Sequence, residues 1–411
     1  MKYNKTLICA TAVLLTLVMG TAAAQEPIEE LGEFLFFDED LSTPKGQSCA
    51  TCHDPEWGFT GPDSDINNAG AVYPGAIHTR FGNRKPPTSA YGGDSPVFDY
   101  EKLIGGMFWD GRATGLNLLE EPSDPLTEQA MGPFLNPLEQ NNPNKRIVCI
   151  KVQNSDYASF FDEVYPENPL DCVNDVAGTY ERIARSIAAY ERSIEVNPFS
   201  SKYDAYLDGV EGVDLTEQEA LGLVLFEASN NNNGIKEVGE GGNCAECHPS
   251  GIGDFNLEHP LFTDFTYDNL GIPKNPNNPF YSMPRYFNPD GMNWVDYGLG
   301  GFLLTTDYSD IAGANMGKHK VPTLRNVDKR PSGDNVIKAY GHNGYFKSLK
   351  GIVHFYNTRD EPWSGEEWLA PEVLANMNTD ELGNLGLTGD DEDAIVAFMK
   401  TLSDGYYEPE P

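Results

Sequence analysis

Two short motifs, Cys49-Ala50-Thr51-Cys52-His53 and Cys244-Ala245-Glu246-Cys247-His248, constrain this chain more than any other feature. Each sets two thiols one helical turn apart, with an imidazole directly behind the second. Zinc can use four cysteines but does not require a histidine after each pair. A thioredoxin-like redox pair needs a strand-to-helix context, which neither motif has. Covalent attachment of a c-type haem does need this arrangement. The thiols add across the two vinyl groups, and the adjacent imidazole reaches the iron from the same face. The lead-ins are also alike, LGEFLFF at 31–37 and ALGLVLFE at 220–227. The expectation is two covalent c-type haems, with His53 and His248 as iron ligands and Cys49, Cys52, Cys244 and Cys247 as thioether donors.

The N-terminus agrees with such a cofactor. Residues 1–24 read as a signal peptide: basic Lys2 and Lys5, an apolar run too short to span a bilayer, and the small residues Ala22, Ala23 and Ala24 before Gln25. The mature protein is therefore expected to be soluble in the periplasm. Cys9 lies in the discarded segment. Of the six remaining cysteines the haems use four, and Cys149 and Cys172 are left in an oxidising compartment, where a disulfide is the economical expectation.

The 411 residues carry 28 Lys+Arg against 63 Asp+Glu, a formal charge of −35. Phosphate would be repelled, so no nucleic-acid partner is expected. A basic protein or a small neutral substrate fits this surface better. With 41 Gly and 29 Pro, long loops should surround a modest set of helices. The spacing of Tyr180, Ile183, Ile187, Tyr190 and Ile194 predicts a helix over 175–195, and Thr216 with Glu219 forms a capping box that starts another. Strand alternation is scarce. The fold class expected is mainly α: two cytochrome c-like domains, 25–205 and 206–411, each around one covalently bound haem.

At this point a family resemblance becomes specific. The opening LGEFLFFDEDLS with SCATCHDP, and then FWDGRA (108–113), EQAMGPFLNPLE (128–139), TDFTYDNLGIP (263–273), HKVPTLRNV (319–327) and GHNGYFKSL (341–349), resemble in order the blocks of the bacterial di-haem cytochrome c peroxidase family, which includes the MauG proteins. The resemblance implies a periplasmic enzyme that cleaves hydrogen peroxide at the N-terminal haem and uses the second haem for electron transfer. Glu139, ten residues after Gln129, matches the family's acid–base glutamate, and Gln129 its pocket glutamine. Such a group moves a proton between the two peroxide oxygens. Trp109 resembles the tryptophan that lies between the two haems. About ten extra residues, 117–126, depart from the family and are expected to lengthen a loop near the pocket.

His78 stands where peroxidase members carry a histidine that closes the N-terminal haem, a site that MauG-type members keep open. The resemblance also implies a calcium ion between the domains, held by an Asn side chain and backbone carbonyls. Lys85 occupies the expected Asn position here, and Asn83 is the substitute if the loop is shifted. The run 229–240 (SNNNNGIKEVGE) approaches EF-hand spacing but starts with Ser229, so an Asn-rich loop is expected. His259 and His319 read as structural or surface residues.

The distal ligand of the second haem separates the branches of the family. Peroxidase members place a Met fourteen residues after the His of an HDG block, and MauG members place a Tyr there. Here the block is HNG at 342–344, and the position is Tyr356. His354, two residues away, would face elsewhere on a helix. Phenol oxygen favours oxidised iron, whereas thioether favours an electron-entry site. The resemblance thus leans toward oxidation of a partner protein. The alternatives are an ordinary peroxidase, fed by a small cytochrome c or cupredoxin, with Met283, Met292 or Met316 as ligand, and a non-enzymatic electron carrier.

Overall fold

The computed structural model describes residues 25–251, 259–333, 335–361 and 367–408. The signal peptide expected over 1–24 lies outside the described residues. Among these residues the chain forms eleven α-helices: α1 Pro27–Phe37, α2 Ser64–Asn68, α3 Pro125–Leu135, α4 Lys145–Gln153, α5 Ala158–Val164, α6 Val176–Arg192, α7 Lys202–Leu207, α8 Glu217–Glu227, α9 Gly298–Leu303, α10 Leu349–Thr358 and α11 Gly389–Lys400. The only sheet among them is a two-residue antiparallel pair, β1 Tyr267–Asp268 with β2 His319–Lys320, in register Tyr267↔Lys320 and Asp268↔His319. The mainly helical expectation holds.

Two apolar cores follow the two motifs. The first gathers Leu31, Leu35 and Phe36 of α1 with Tyr180, Ile183, Ile187 and Tyr190 of α6, and draws in Leu261 and Phe265 from the second half of the chain. The second gathers Leu225 and Phe226 of α8 with Ile395, Phe398 and Met399 of α11 and with Phe355 of α10. Tyr203 packs in the second core while Val196 packs in the first, so the chain passes between them at 197–202.

The repeated lead-ins have the same packing purpose. In α1, a Cβ on Gly32 would lie 1.9 Å from the Ser186 carbonyl oxygen of α6; in α8, a Cβ on Gly222 would lie 1.9 Å from the Ala394 carbonyl oxygen of α11. Each lead-in helix therefore crosses the last helix of its core at backbone contact, which only glycine permits. The capping box is as expected, with Thr216 and Glu219 satisfying each other's backbone N–H. The helix predicted over 175–195 ends at Arg192, and Ile194 is exposed, contrary to its expected place on the apolar face. The Ser193 N–H bonds back to the Tyr190 carbonyl as the chain turns extended.

Three loop expectations can be compared with the structure. Cys149 and Cys172 are disulfide-bonded. The extra segment at 117–126 does not hang free over a pocket. Leu119 and Glu120 N–H groups donate to the Glu181 carboxylate, Glu120 pairs with Arg182 at 3.1 Å, and Asp124 pairs with Arg192 at 2.6 Å, which clamps the segment along α6. Asp124 then caps α3, the helix that carries Gln129. In 229–240 the amides of Asn230 and Asn232 donate to backbone carbonyls of other loops and that of Asn231 to Glu240, so this is an Asn-rich loop with its amides already engaged.

Candidate active site

Both motifs close a single tight turn. His53 N–H donates to the Cys49 carbonyl at 3.0 Å, and His248 N–H to the Cys244 carbonyl at 2.9 Å. In each, Nδ1 of the imidazole meets a backbone oxygen: His53 Nδ1 lies 3.1 Å from the Phe59 carbonyl and His248 Nδ1 2.7 Å from the Phe262 carbonyl, with the Pro87 and Pro322 backbones also beside the two rings. A carbonyl can only accept, so Nδ1 carries the proton and Nε2 keeps its lone pair for a metal. Phe59 and Phe262 both hold positive φ, 57° and 54°, a conformation that bulky residues rarely adopt. Two separate turns thus present a carbonyl to the histidine in the same way. Neither phenylalanine can be found from the motifs, because six residues separate His53 from Phe59 and fourteen separate His248 from Phe262.

The residues fit two c-type haems. The four motif cysteines are free thiols, half-buried in pairs, and burial pushes Cys52 and Cys244 up to about 12. Burial likewise lowers His53 to about 4 and lowers His248, which keeps both imidazoles neutral, as metal ligands must be.

Around the first motif, α3 ends at Leu135. The chain then folds back, with Glu139 N–H on the Asn136 carbonyl and Gln140 N–H on the Pro133 carbonyl. Gln129 lies half-buried on α3. The Glu139 carboxylate is close enough for its charge to bear on both Cys49 and Cys52 of the first motif. Burial raises Glu139 above the usual carboxylate range, and Arg112 and the Asn136 side chain hold it back. Arg112 lies 3.7 Å over the Phe108 ring and pairs with Asp110. Phe108, at φ 65°, sits against Gly132 of α3, where a Cβ would come within 3.3 Å of the ring. Arg112 and Phe108 are site residues that sequence reasoning passed over, though both belong to the FWDGRA block. His78 is exposed on the turn at 77–80.

The second motif opens into a large cavity. Cys244, Cys247 and His248 line it on one side, Tyr356, Ile352 and Val353 of α10 and Ile395 and Met399 of α11 on others, and it runs on to Thr60, Lys85 and Trp109 from the first half of the chain. Trp109 thereby reaches the second motif's cavity from the first half of the chain. Its indole N–H donates to the Lys85 carbonyl at 2.9 Å, and its own carbonyl accepts from Lys320 N–H at 2.8 Å.

Tyr356 and His354 point to different places. Tyr356 shares the cavity with His248, and its phenol is pushed up by burial and by the nearby Cys247 and Cys244. His354 is held at 2.7 Å by Glu392 and at 3.1 Å by Glu367, away from the cavity lining. Of the three candidate methionines, Met283 accepts the Phe81 N–H on its sulfur, Met292 is 66% exposed, and Met316 packs in the small cluster of Phe98, Tyr267 and Leu299. None of them lines the cavity. His259 lies 3.2 Å from Asp204, whereas His319, stacked at 3.6 Å on His342 and 3.3 Å from Asp296, lines the cavity with both of them.

Comparison with known proteins bears directly on this arrangement. The family described as di-haem cytochrome c peroxidase matches residues 26–212. The chain is 34% identical to the methylamine utilization protein MauG of Paracoccus denitrificans, over 97% of this chain and 95% of that protein. It is 26% identical to a cytochrome c551 peroxidase of Pseudomonas aeruginosa, over 92% of this chain and 79% of that one. The crystal structure of the diheme peroxidase BthA from Burkholderia thailandensis superposes with a TM-score of 0.73 at 28% identity, covering 95% of this chain and 90% of that one. With paired attachment motifs and this similarity over nearly its whole length, the chain belongs to the di-haem cytochrome c peroxidase/MauG family, oxidoreductases that act on peroxide.

Proposed function

We propose that this chain is an exported, periplasmic, MauG-like oxidase that uses hydrogen peroxide at its first haem and draws electrons from a partner protein through its second. When bound, the haems supply redox-active iron at each motif. His53 and His248 would hold the two irons through Nε2, and the four cysteines would fix the rings. Glu139 takes a proton from one peroxide oxygen and returns it to the other, so that the oxygen–oxygen bond breaks with water as the leaving group. Gln129 positions the peroxide from α3, and Phe108 keeps water from the same space. With His78 out on its turn, we read the first site as open to substrate. Trp109 would carry electrons between the two sites, and Tyr356, which shares the cavity with His248, would supply an oxygen ligand at the second.

The observation that carries this reading is the shared cavity of Tyr356 and His248, with the three alternative methionines elsewhere. A hard oxygen ligand suits oxidised iron and makes a poor entry point for electrons from a high-potential donor. That separates this chain from an ordinary peroxidase fed by a small cytochrome c or cupredoxin. A purely electron-carrying protein would leave Glu139 and Gln129 without a role. The test is spectroscopic. Tyr356→Phe should change the electronic and resonance Raman signature of one haem while the other still reacts with peroxide at the wild-type rate. A methionine–iron band in the near infrared of the oxidised wild-type protein would overturn the assignment.

A further inference from the structure

Two buried lysines stand at the junction between the motifs, and the chemistry above does not use them. Lys338 is 5% exposed, and its Nζ donates to the carbonyl oxygens of Trp57 at 2.9 Å, Asn326 at 2.8 Å and Lys329 at 3.0 Å. An ammonium has three N–H donors, and here each meets a carbonyl. Burial and the neighbouring Lys85 press Lys338 toward losing its proton. The cage opposes that loss, because an amine with two N–H groups would leave one buried carbonyl without a donor. Lys85 is also buried and donates to Thr60 Oγ1 and the Pro86 carbonyl, both at 2.9 Å.

These contacts join the two halves of the site. Trp57 lies four residues beyond His53, while Asn326 and Lys338 line the second cavity. Lys85 in turn presents the carbonyl that receives the Trp109 indole N–H. The family resemblance implies calcium between the domains, and the residues here do not fit it. Calcium needs six to eight oxygens, usually including carboxylates. Lys85 brings a cation to the position where an Asn side-chain oxygen is expected, and its Nζ is already spent on Thr60 and Pro86. A lysine amine has no oxygen to offer a divalent ion, and its charged form repels one.

We propose that Lys338 is a built-in cation that pins the segment after the first motif to the wall of the second cavity, so that this chain holds its two haem sites in register without calcium. Lys338 is thus a positioning residue. It touches neither peroxide nor iron and acts through the segments that place Trp109 and the two motifs.

The test uses the haem-loaded protein. After exposure to calcium and dialysis into chelator-free buffer, elemental analysis should find no calcium in proportion to iron. Thermal unfolding should be the same with EGTA as with added calcium. Calcium retained at one ion per two irons, or unfolding raised by calcium but not by equal magnesium, would overturn the proposal. Lys338→Met should keep two covalent haems per chain. It should also speed hydrogen exchange in residues 54–60 and 322–329 by about tenfold or more, the consequence of orphaning three buried carbonyls, and slow electron equilibration between the haems. Unchanged exchange in both segments would overturn it equally. If Lys338→Met fails to accumulate, the calcium measurements on the wild-type protein decide.

Discussion

Glu139 lies near the first motif with its acidity set by opposing influences: burial raises it, and Arg112 and Asn136 lower it. In the proposed role the charged carboxylate accepts the first proton from peroxide, so the rate of the peroxide reaction should fall as pH drops through this raised value. Arg112→Gln removes the largest influence that favours the carboxylate. Its acid limb should therefore move to higher pH, with the haem spectra unchanged; a limb that stays in place would mean Arg112 does not govern Glu139. Glu139→Gln has no base to titrate. It should slow the reaction by about two to four orders of magnitude, the usual range for a lost general acid–base group. Stopped-flow mixing with peroxide across pH measures both.

At the scale of elements, the two glycine crossings tie each lead-in helix to the last helix of its core. Gly222→Ala must move α8 off α11, since the new methyl would meet the Ala394 carbonyl carbon at 2.6 Å and its oxygen closer still. Overpacking of this kind costs about 1–3 kcal/mol. Each kcal/mol should lower the unfolding temperature of a unit this size by about 2–4 °C. Gly32→Ala should act alike through Ser186, whereas Gly313→Ala, with nothing within 4 Å of the added methyl, should be neutral. Calorimetry of the holoprotein distinguishes them. The clamped segment at 117–126 belongs to the same scale. Its pairs with α6 are made by residues more than fifty positions away, which is why its sequence alone suggested a longer loop near the pocket and not a segment clamped along a helix.

At the scale of the molecule, the charge of −35 acts at long range. Steering of this kind raises association rates by about 10- to 1000-fold and is screened within about 10 Å at 0.1 M salt. Electron transfer from a basic partner protein should therefore slow by about tenfold or more at high ionic strength, while a neutral small reductant should be indifferent. Equal salt dependence for the two would reduce the acidic surface to a solubility feature. No helix among the described residues is long and apolar enough to cross a membrane.

What the sequence determined by itself is the chemistry confined to a few consecutive residues. Cys49, Cys52 and His53, and their counterparts at 244–248, announce haem attachment because the reacting groups all lie on one turn. The capping box at Thr216 and the apolar face of Tyr180, Ile183, Ile187 and Tyr190 are legible for the same local reason. Tertiary structure decided whatever depends on residues distant in sequence. Spacing brought both Tyr356 and His354 near the question, but the cavity on one side of α10 and Glu392 with Glu367 on the other determined where each points. Ile194 was misread because its helix ends two residues sooner. Periodicity says nothing of the extended turn at Ser193. The carbonyls of Phe59 and Phe262 and the cage around Lys338 are backbone groups brought together by the fold. Every residue type carries such a carbonyl, so no sequence pattern could have marked them.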